Sequence, residues 1–256
     1  MRYAGTTALI TGASSGIGAE FAQRFAGRGA DLVLVARREE ALESLASQIR
    51  TDTGRSVRVV PFDLTEERSG HRLAALLEGQ GVDTVVNCAG VAHTKPFAAS
   101  SEDEIRVQLR VNLDATVGIT RAFLPQLIAS GCGALVNVAS LTGYLSTPGM
   151  AVYSASKSFV VRFTEALAHE TRESGLTVLA LSPGPTSTEF YGVSGTRTSG
   201  VRFQTAAQVV GTAIAALDRR KPPVSVISGS ANRWARRVAA VLPKRTALRL
   251  VEARPV

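Results

Sequence analysis

Thr11-Gly-Ala-Ser-Ser-Gly-Ile-Gly18 separates a short apolar run, Thr7–Ile10, from a helix-patterned stretch, Gly16–Arg28. Gly12, Gly16 and Gly18 allow a tight turn and a close approach of backbone to a ligand. At the start of a helix, free N–H groups and the helix dipole favour an anion such as a pyrophosphate. A strand–turn–helix setting makes such a turn a nucleotide signal. The spacing is Gly-x-x-x-Gly-x-Gly and lacks the lysine of a P-loop, which disfavours ATP. Gly12, Ser14, Ser15, Gly16, Ile17 and Gly18 are therefore the first candidate nucleotide contacts.

Outward from this turn, short apolar runs alternate with longer helical patterns, as in a parallel sheet with crossover helices. The runs are Thr7–Ile10, Asp31–Ala36, Ser56–Pro61, Thr84–Asn87, Gly133–Ala139, Thr177–Ser182 and Val224–Ser228. Several are apolar throughout, as strands covered on both faces are. The helical stretches are Gly16–Arg28, Glu39–Arg50, Glu66–Glu78, Glu102–Ala129, Ala151–Glu173 and Thr205–Asp218. The expectation is an α/β, Rossmann-type doubly wound sheet of seven parallel strands with helices on both faces. Residues 1–229 read as one nucleotide-binding catalytic domain and 230–256 as its basic helical extension. Pro183–Val201 is rich in Gly, Ser, Thr and Pro and reads as a long functional loop, with its substrate part at 185–200.

The second run ends Val35-Ala36-Arg37-Arg38. A carboxylate about 20 residues after the glycines would bind the ribose 2′-hydroxyl of NAD; alanine stands there, and two guanidiniums follow. Guanidinium pairs with phosphate, so Ser14, Arg37 and Arg38 point to NADP(H). The alternative is that both arginines only begin a solvated helix. Farther on, Tyr153 and Lys157 stand at i, i+4 and share a helical face, while Ser140 ends the fifth run. A nearby ammonium is expected to lower the phenol pKa from its ordinary value of about 10.

The glycine-rich turn, Asp63, Asn87-Cys-Ala-Gly90, Asn112, Ser140, Tyr153-x-x-x-Lys157 and Pro183-Gly184 stand in an order and spacing that resemble the short-chain dehydrogenases/reductases. The likeness covers residues 6 to about 228. It implies hydride transfer between NADP(H) and a carbonyl or alcohol carbon, with Tyr153 as acid/base and Ser140 stabilising the oxygen where charge develops. Lys157 is implied to hold the nicotinamide ribose, and Asn112 to hold a relay water or simply to shape its helix. It also implies adenine contacts from Asp63 and Leu64 and ribose contacts from Asn87, Ala89 and Gly90. Pro183, Gly184, Thr186 and Thr188 are assigned to the nicotinamide and pyrophosphate. Cys88 departs from the family's usual second Asn, which puts a hydrogen bond between central strands in doubt. The thiol reads either as inert and buried or as oxidant-sensitive.

His93, Phe97, Leu141, Tyr144, Phe190, Tyr191 and Val193 are the candidate substrate walls. They imply a lipophilic ketone or alcohol, unless they serve to pack the loop itself. Two further readings of the same fold are a 3-oxoacyl thioester reductase and a catalytically idle NADP(H)-sensing regulator. The resemblance also implies a homodimer or homotetramer through Glu102–Ala129 and Ala151–Glu173.

Of 256 residues 29 are basic and 21 acidic, but residues 219–256 hold ten of the basic side chains and one of the acidic ones. The body is thus near neutral and lacks the basic, aromatic-laced face of a nucleic-acid binder. The two cysteines, Cys88 and Cys132, lack zinc or disulfide-framework spacing, and no metal is expected. The first apolar stretch stops at Ile10, too short for a signal peptide, and no run approaches the ~18 residues of a span. A cytoplasmic protein is expected. In the tail, Ser230 reads as the N-cap of a helix to Leu242. Trp234, Val238, Val241 and Leu242 share one face of it among arginines, and Leu248 and Val251 begin a second amphipathic stretch after Pro243. That face either covers the domain or a partner subunit, or makes weak peripheral contact with the inner membrane face.

Overall fold

The computed structural model describes residues 3–196 and 201–253, with the side chains of Val193, Glu252 and Ala253 left out of the description. Its strands are β1 (Thr7–Thr11), β2 (Asp31–Ala36), β3 (Val57–Pro61), β4 (Thr84–Asn87), β5 (Ala134–Val138), β6 (Thr177–Ser182) and β7 (Ser225–Ile227). All pair in parallel in the order β3-β2-β1-β4-β5-β6-β7. The order reverses between β1 and β4, and ligands of open α/β sheets bind outside the strands' carboxyl ends at such a point.

Alternation along the strands splits the core in two. Ile10, Leu34, Val136 and Leu181 face α1 (Gly16–Ala26), α2 (Glu39–Thr53) and, later in the chain, the helix Ala206–Leu217. Leu9, Val35, Val85, Leu135 and Val178 face the opposite layer, with Leu73 of α3 (Ser69–Leu76) and Phe123 and Leu127 beyond β4. With both faces covered, β2, β5 and β6 are almost wholly buried, which explains their unbroken apolar runs.

Several boundaries differ from expectation. α3 starts at Ser69 instead of Glu66, because Arg68 sits in the left-handed region (φ 55) just before it. The stretch 102–129 is two helices, α4 (Glu102–Leu109) and α5 (Ala115–Ser130), joined by a π-helical turn at Arg110–Asp114 that carries Asn112. Inserted π turns recur at functional positions. α6 (Ala151–Glu170) follows β5. The loop after β6 is not wholly irregular: it contains α7 (Phe190–Ser194) and is tied down by a bridge between Thr186 and Gln204. Thr205 is the cap of α8 (Ala206–Leu217), in a reciprocal capping box with Gln208.

The tail forms α9 (Ser230–Val241) and α10 (Lys244–Ala253). Gly229, not Ser230, takes the cap position of α9, at φ 82; a left-handed residue there leaves Ser230 inside the first turn. The reading that the apolar face of α9 covers the domain is corrected as well, since no residue of α9 is buried and Trp234 and Val241 are exposed.

The glycine-rich turn binds β1 to β4. Gly12 has φ 66, and a Cβ there would meet the Ala89 backbone at 2.9 Å; a Cβ on Gly18 would collide with the Gly12 carbonyl oxygen. Gly211 in α8 has open space around it. Two substitutions of the same kind should therefore have opposite signs. Gly18→Ala is expected to cost about 1–3 kcal/mol through overpacking, whereas Gly211→Ala gains up to about 1 kcal/mol of helix propensity. Denaturant unfolding of both variants checks this, and a neutral Gly18→Ala would contradict the packing of the turn.

Candidate active site

A cleft of about 420 Å³ opens at the carboxyl ends of the strands. Its floor at one end is the glycine-rich turn, with Gly12, Ser14, Ser15, Gly16, Ile17 and Gly18 all lining it; Ala36, Arg37 and Arg38 come from the end of β2. Asp63 and Leu64 follow β3 into the same wall, where the Asp63 carboxylate accepts from the Thr65 N–H at 2.9 Å. Thr11 Oγ1 accepts from the Cys88 and Ala89 N–H groups at 3.1 and 3.2 Å. This clamps the end of β4 to β1 and makes good the tie that Cys88 put in doubt.

Asn87 is a correction. Its amide donates to Asn137 Oδ1 at 2.9 Å and Thr120 at 3.2 Å. Its side chain therefore joins β4 to β5 and α5 and does not face the cleft. Ala89 and Gly90, the other expected ribose contacts, do line it.

At the other end stand Ser140, Tyr153 and Lys157. β5 delivers Ser140 into an extended conformation, and its hydroxyl accepts from the Thr142 N–H and is hydrogen-bonded to Tyr153. The spacing of Tyr153 and Lys157 on α6 puts the ammonium 5.7 Å from the phenol ring centre. Lys157 Nζ is buried and donates to the Val138 carbonyl at 2.8 Å. Asn112 lies behind the cleft: its Oδ1 accepts from Val91 N–H at 3.0 Å, and its Nδ2 donates to Val91 O and Ser156. A Cβ on Gly90 would fall 3.3 Å from Lys157 Nζ and 3.4 Å from Asn112 Oδ1, so glycine keeps a gap open between the two.

The electrostatics also correct an expectation. Burial pushes the Tyr153 phenol above its ordinary value, and the Ser140 hydrogen bond only partly opposes this. Burial pulls Lys157 down to about 8. With the protein's own groups, desolvation dominates both shifts. Cys88, half-buried beside Lys157, is pushed up to about 12 by burial, which keeps it a protonated thiol and favours the inert reading.

Past Ser140, Tyr153 and Lys157 the walls are Val91, Ala92, Val107, Val111 and Phe190. Phe190 packs 5.6 Å from the Tyr153 ring, and Tyr191 meets Phe190 and Phe203 edge-on. Of the other expected walls, Phe97 is largely exposed on a 3₁₀ turn, and Leu141 is buried beneath the cleft. Tyr144 packs with Val160 and Val161 under the Arg236 guanidinium. His93 sits half-buried near Glu104, outside the lining. The Val193 side chain lies outside the described residues. Val91, Ala92, Val107 and Val111 were missed because an apolar residue bordering a cleft has the same sequence pattern as one in a core.

Pro183, Gly184, Thr186 and Thr188 border the middle of the cleft, with Thr188 packed on Gly16. The next residue was also missed. Glu189 accepts from Arg38 at 2.7 Å and from Ser15, and Arg38 in turn donates to Ser14 at 3.1 Å. These partners hold the Glu189 carboxylate below the usual range. A carboxylate already seated on Ser15 and Arg38 indicates that this corner accepts oxyanions. Together with the glycine cradle, this fits a phosphorylated dinucleotide. Among the described residues, no group of three or more His, Cys, Asp or Glu is arranged to hold a metal, and no helix is long and apolar enough to cross a membrane.

The family model described as short chain dehydrogenase matches residues 6–197. A very-long-chain 3-oxoacyl-CoA reductase of Pyrenophora tritici-repentis is 34% identical over 180 residues, 68% of this chain and 53% of the relative. The chain spans about half to three fifths of the length of the first such curated relatives. A short-chain dehydrogenase from Sphingobium yanoikuyae in complex with NADPH is 33% identical, covers 92% of this chain and 93% of its own, and superposes with a TM-score of 0.82. A bulky-bulky ketone specific alcohol dehydrogenase from Comamonas testosteroni is 31% identical, with 92% and 91% covered and a TM-score of 0.78. Solved relatives hold NADPH in one case and NAD in another. With a matching sheet, a nucleotide cradle and the Ser140, Tyr153 and Lys157 cluster in one cleft, this chain belongs to the short-chain dehydrogenase family of oxidoreductases.

Proposed function

We propose that this chain is an NADP(H)-dependent carbonyl reductase and alcohol dehydrogenase for a lipophilic ketone or secondary alcohol. The observation that carries the reading is the Tyr153 phenol, joined to Ser140 and backed by Lys157, at the mouth of a cavity walled by aliphatic side chains and Phe190. When bound, the nicotinamide supplies or accepts the hydride. Tyr153 Oη gives its proton to the carbonyl oxygen during reduction, and the Ser140 hydroxyl donates to that same oxygen as charge develops. A phenol held protonated by burial is matched to the acid role. The Lys157 ammonium has three donors, one of them on Val138 O, leaving the others for the ribose hydroxyls. The gap over Gly90 between Lys157 and Asn112 supports a proton path there.

Arg37, Arg38, Ser14 and the alanine at position 36 support NADP(H) over NAD(H). In this reading Glu189 competes with the 2′-phosphate for Arg38. Phe159, exposed and stacked at 5.9 Å on Phe163 of α6, supports assembly as a dimer or tetramer through the α5 and α6 faces. The 3-oxoacyl thioester reading has the same chemistry at its 3-oxo carbon and is favoured by the 3-oxoacyl-CoA reductase relative.

NADPH oxidation against a panel of bulky ketones and a 3-oxoacyl-CoA tests these readings, and no turnover with any of them would favour the idle regulator. Tyr153→Phe is expected to lower kcat/KM about 100- to 10,000-fold with NADPH affinity retained; undiminished turnover would refute the assigned acid. Because Lys157 is drawn down to about 8, its ammonium is present below that pH and lost above it. Reductive kcat/KM should therefore be level toward neutrality and fall above about pH 8. For the cofactor, Arg38→Ala should weaken NADPH binding about ten-fold with little effect on NADH. Glu189→Gln, by freeing Arg38 from an exposed pair, should tighten NADPH about two- to five-fold. Titration of both cofactors by fluorescence distinguishes the two, and equal changes for NADH would count against the 2′-phosphate site.

A further inference from the structure

We propose that α9 and α10 form a docking surface for an anionic lipid bilayer, seated beside the nicotinamide end of the cleft. One side of α9 is fixed to the body. The Asn232 amide donates to Ser228 O at 2.7 Å and to Gln204 Oε1 at 3.1 Å, and lies so close to Gly184 that no Cβ fits there. One turn on, the Arg236 guanidinium stands 5.2 Å over the Tyr144 ring. Gly184 lines the cleft, and Tyr144 follows the turn that begins at Ser140, so these two anchors set α9 at the nicotinamide end.

The opposite side of α9 is bare. At about 100° per residue, Trp234 and Val241 project roughly opposite Asn232 and Arg236. They are 67% and 82% exposed. Leu248 and Leu250 of α10 are exposed too; two residues apart, they project from opposite sides of that helix, and Leu248 is the one that stands among Lys244 and Arg245. Arg233 and Arg237, at i, i+4, lie together along one side of Trp234, with Arg233 also donating to Ile227 O at 3.3 Å, and Lys244, Arg245 and Arg249 follow on α10. None of these five has an ion pair among the described residues.

Aliphatic residues and a tryptophan bordered by cations that form no ion pair among the described residues match the headgroup boundary of a bilayer, where rings and alkyl groups enter and cations meet lipid phosphates. A polyphosphate such as RNA would satisfy the arginines and leave Trp234, Val241 and Leu248 in water. A second copy laid on the same face would set like charges against one another. With the site reading above, on which this last step rests, docking brings the cleft mouth to the phase where a lipophilic ketone is dissolved.

Trp234 is the only tryptophan of the chain, so its emission reports this face directly. The full-length protein is mixed with vesicles of phosphatidylcholine alone or blended with phosphatidylglycerol, at low and high salt, and followed by flotation and Trp234 emission. The expected result is co-flotation and a blue shift with the anionic vesicles, weakened by salt. A Val241→Ser, Leu248→Ser variant should partition about ten-fold or more weakly, with NADPH affinity and turnover of a water-soluble ketone unchanged. No flotation of the intact chain, equal flotation of the variant, or an RNA complex or self-association that accounts for the tail while vesicles are ignored would each overturn the proposal. Flotation is read without turnover, so an inactive but vesicle-bound protein would sink the catalytic reading and leave the docking surface standing.

Discussion

A buried lysine ammonium held by one backbone carbonyl organises this molecule. Lys157 Nζ reaches the Val138 carbonyl at the end of β5 and so pins the first turns of α6 against the strand that carries Ser140. Together with the Ser158 hydroxyl, which donates to the Gly143 carbonyl at 2.8 Å, this contact fixes Tyr153 relative to Ser140. Desolvation is the cost, and it is visible in how far burial draws the lysine down. A well-packed aliphatic residue could hold α6 to β5 without that cost; the lysine instead places an ammonium at the cleft wall.

Around this contact the polar interior is continuous. Asn87 and Asn137 link β4 to β5, and Asn137 reaches Thr164 of α6. Asn112, carried on the π turn, clasps both backbone groups of Val91. Each pairs its amide N–H groups where leaving them unpaired would be expensive, although the buried Asn87 Oδ1 itself has no partner among the described residues. The result is a rigid seam along the switch point, and the two ends of the cleft are positioned relative to it. One end is rich in N–H groups, hydroxyls and guanidinium; the other is aliphatic and aromatic. A single strap, 183–191, crosses between them, touching Gly16 through Thr188, Arg38 through Glu189 and Tyr153 through Phe190.

Much of this was legible from residue order alone. The seven strands, the nucleotide turn and the trio Ser140, Tyr153 and Lys157 follow from local signals: uninterrupted apolar runs, glycines at a strand–helix junction, an i, i+4 pair. Asn87 was misread because an Asn at a strand end looks the same whether it faces a ligand or the core, and here Asn137 and Thr120 hold it inward. Phe97, Leu141 and Tyr144 were assigned to the pocket by proximity in sequence, yet they point to solvent, to the core and to the tail helix.

Sequence by itself determined the fold class and the family, and it singled out the glycine-rich turn and Ser140, Tyr153 and Lys157 that meet in one cleft, since each depends on spacing within one or two consecutive elements. Tertiary structure alone decided the sign of the Tyr153 shift, the seat of Glu189 on Ser15 and Arg38, the aliphatic walls and the bare face of the tail. Those depend on which distant surfaces meet and how much water they exclude, and neither quantity is written in local order.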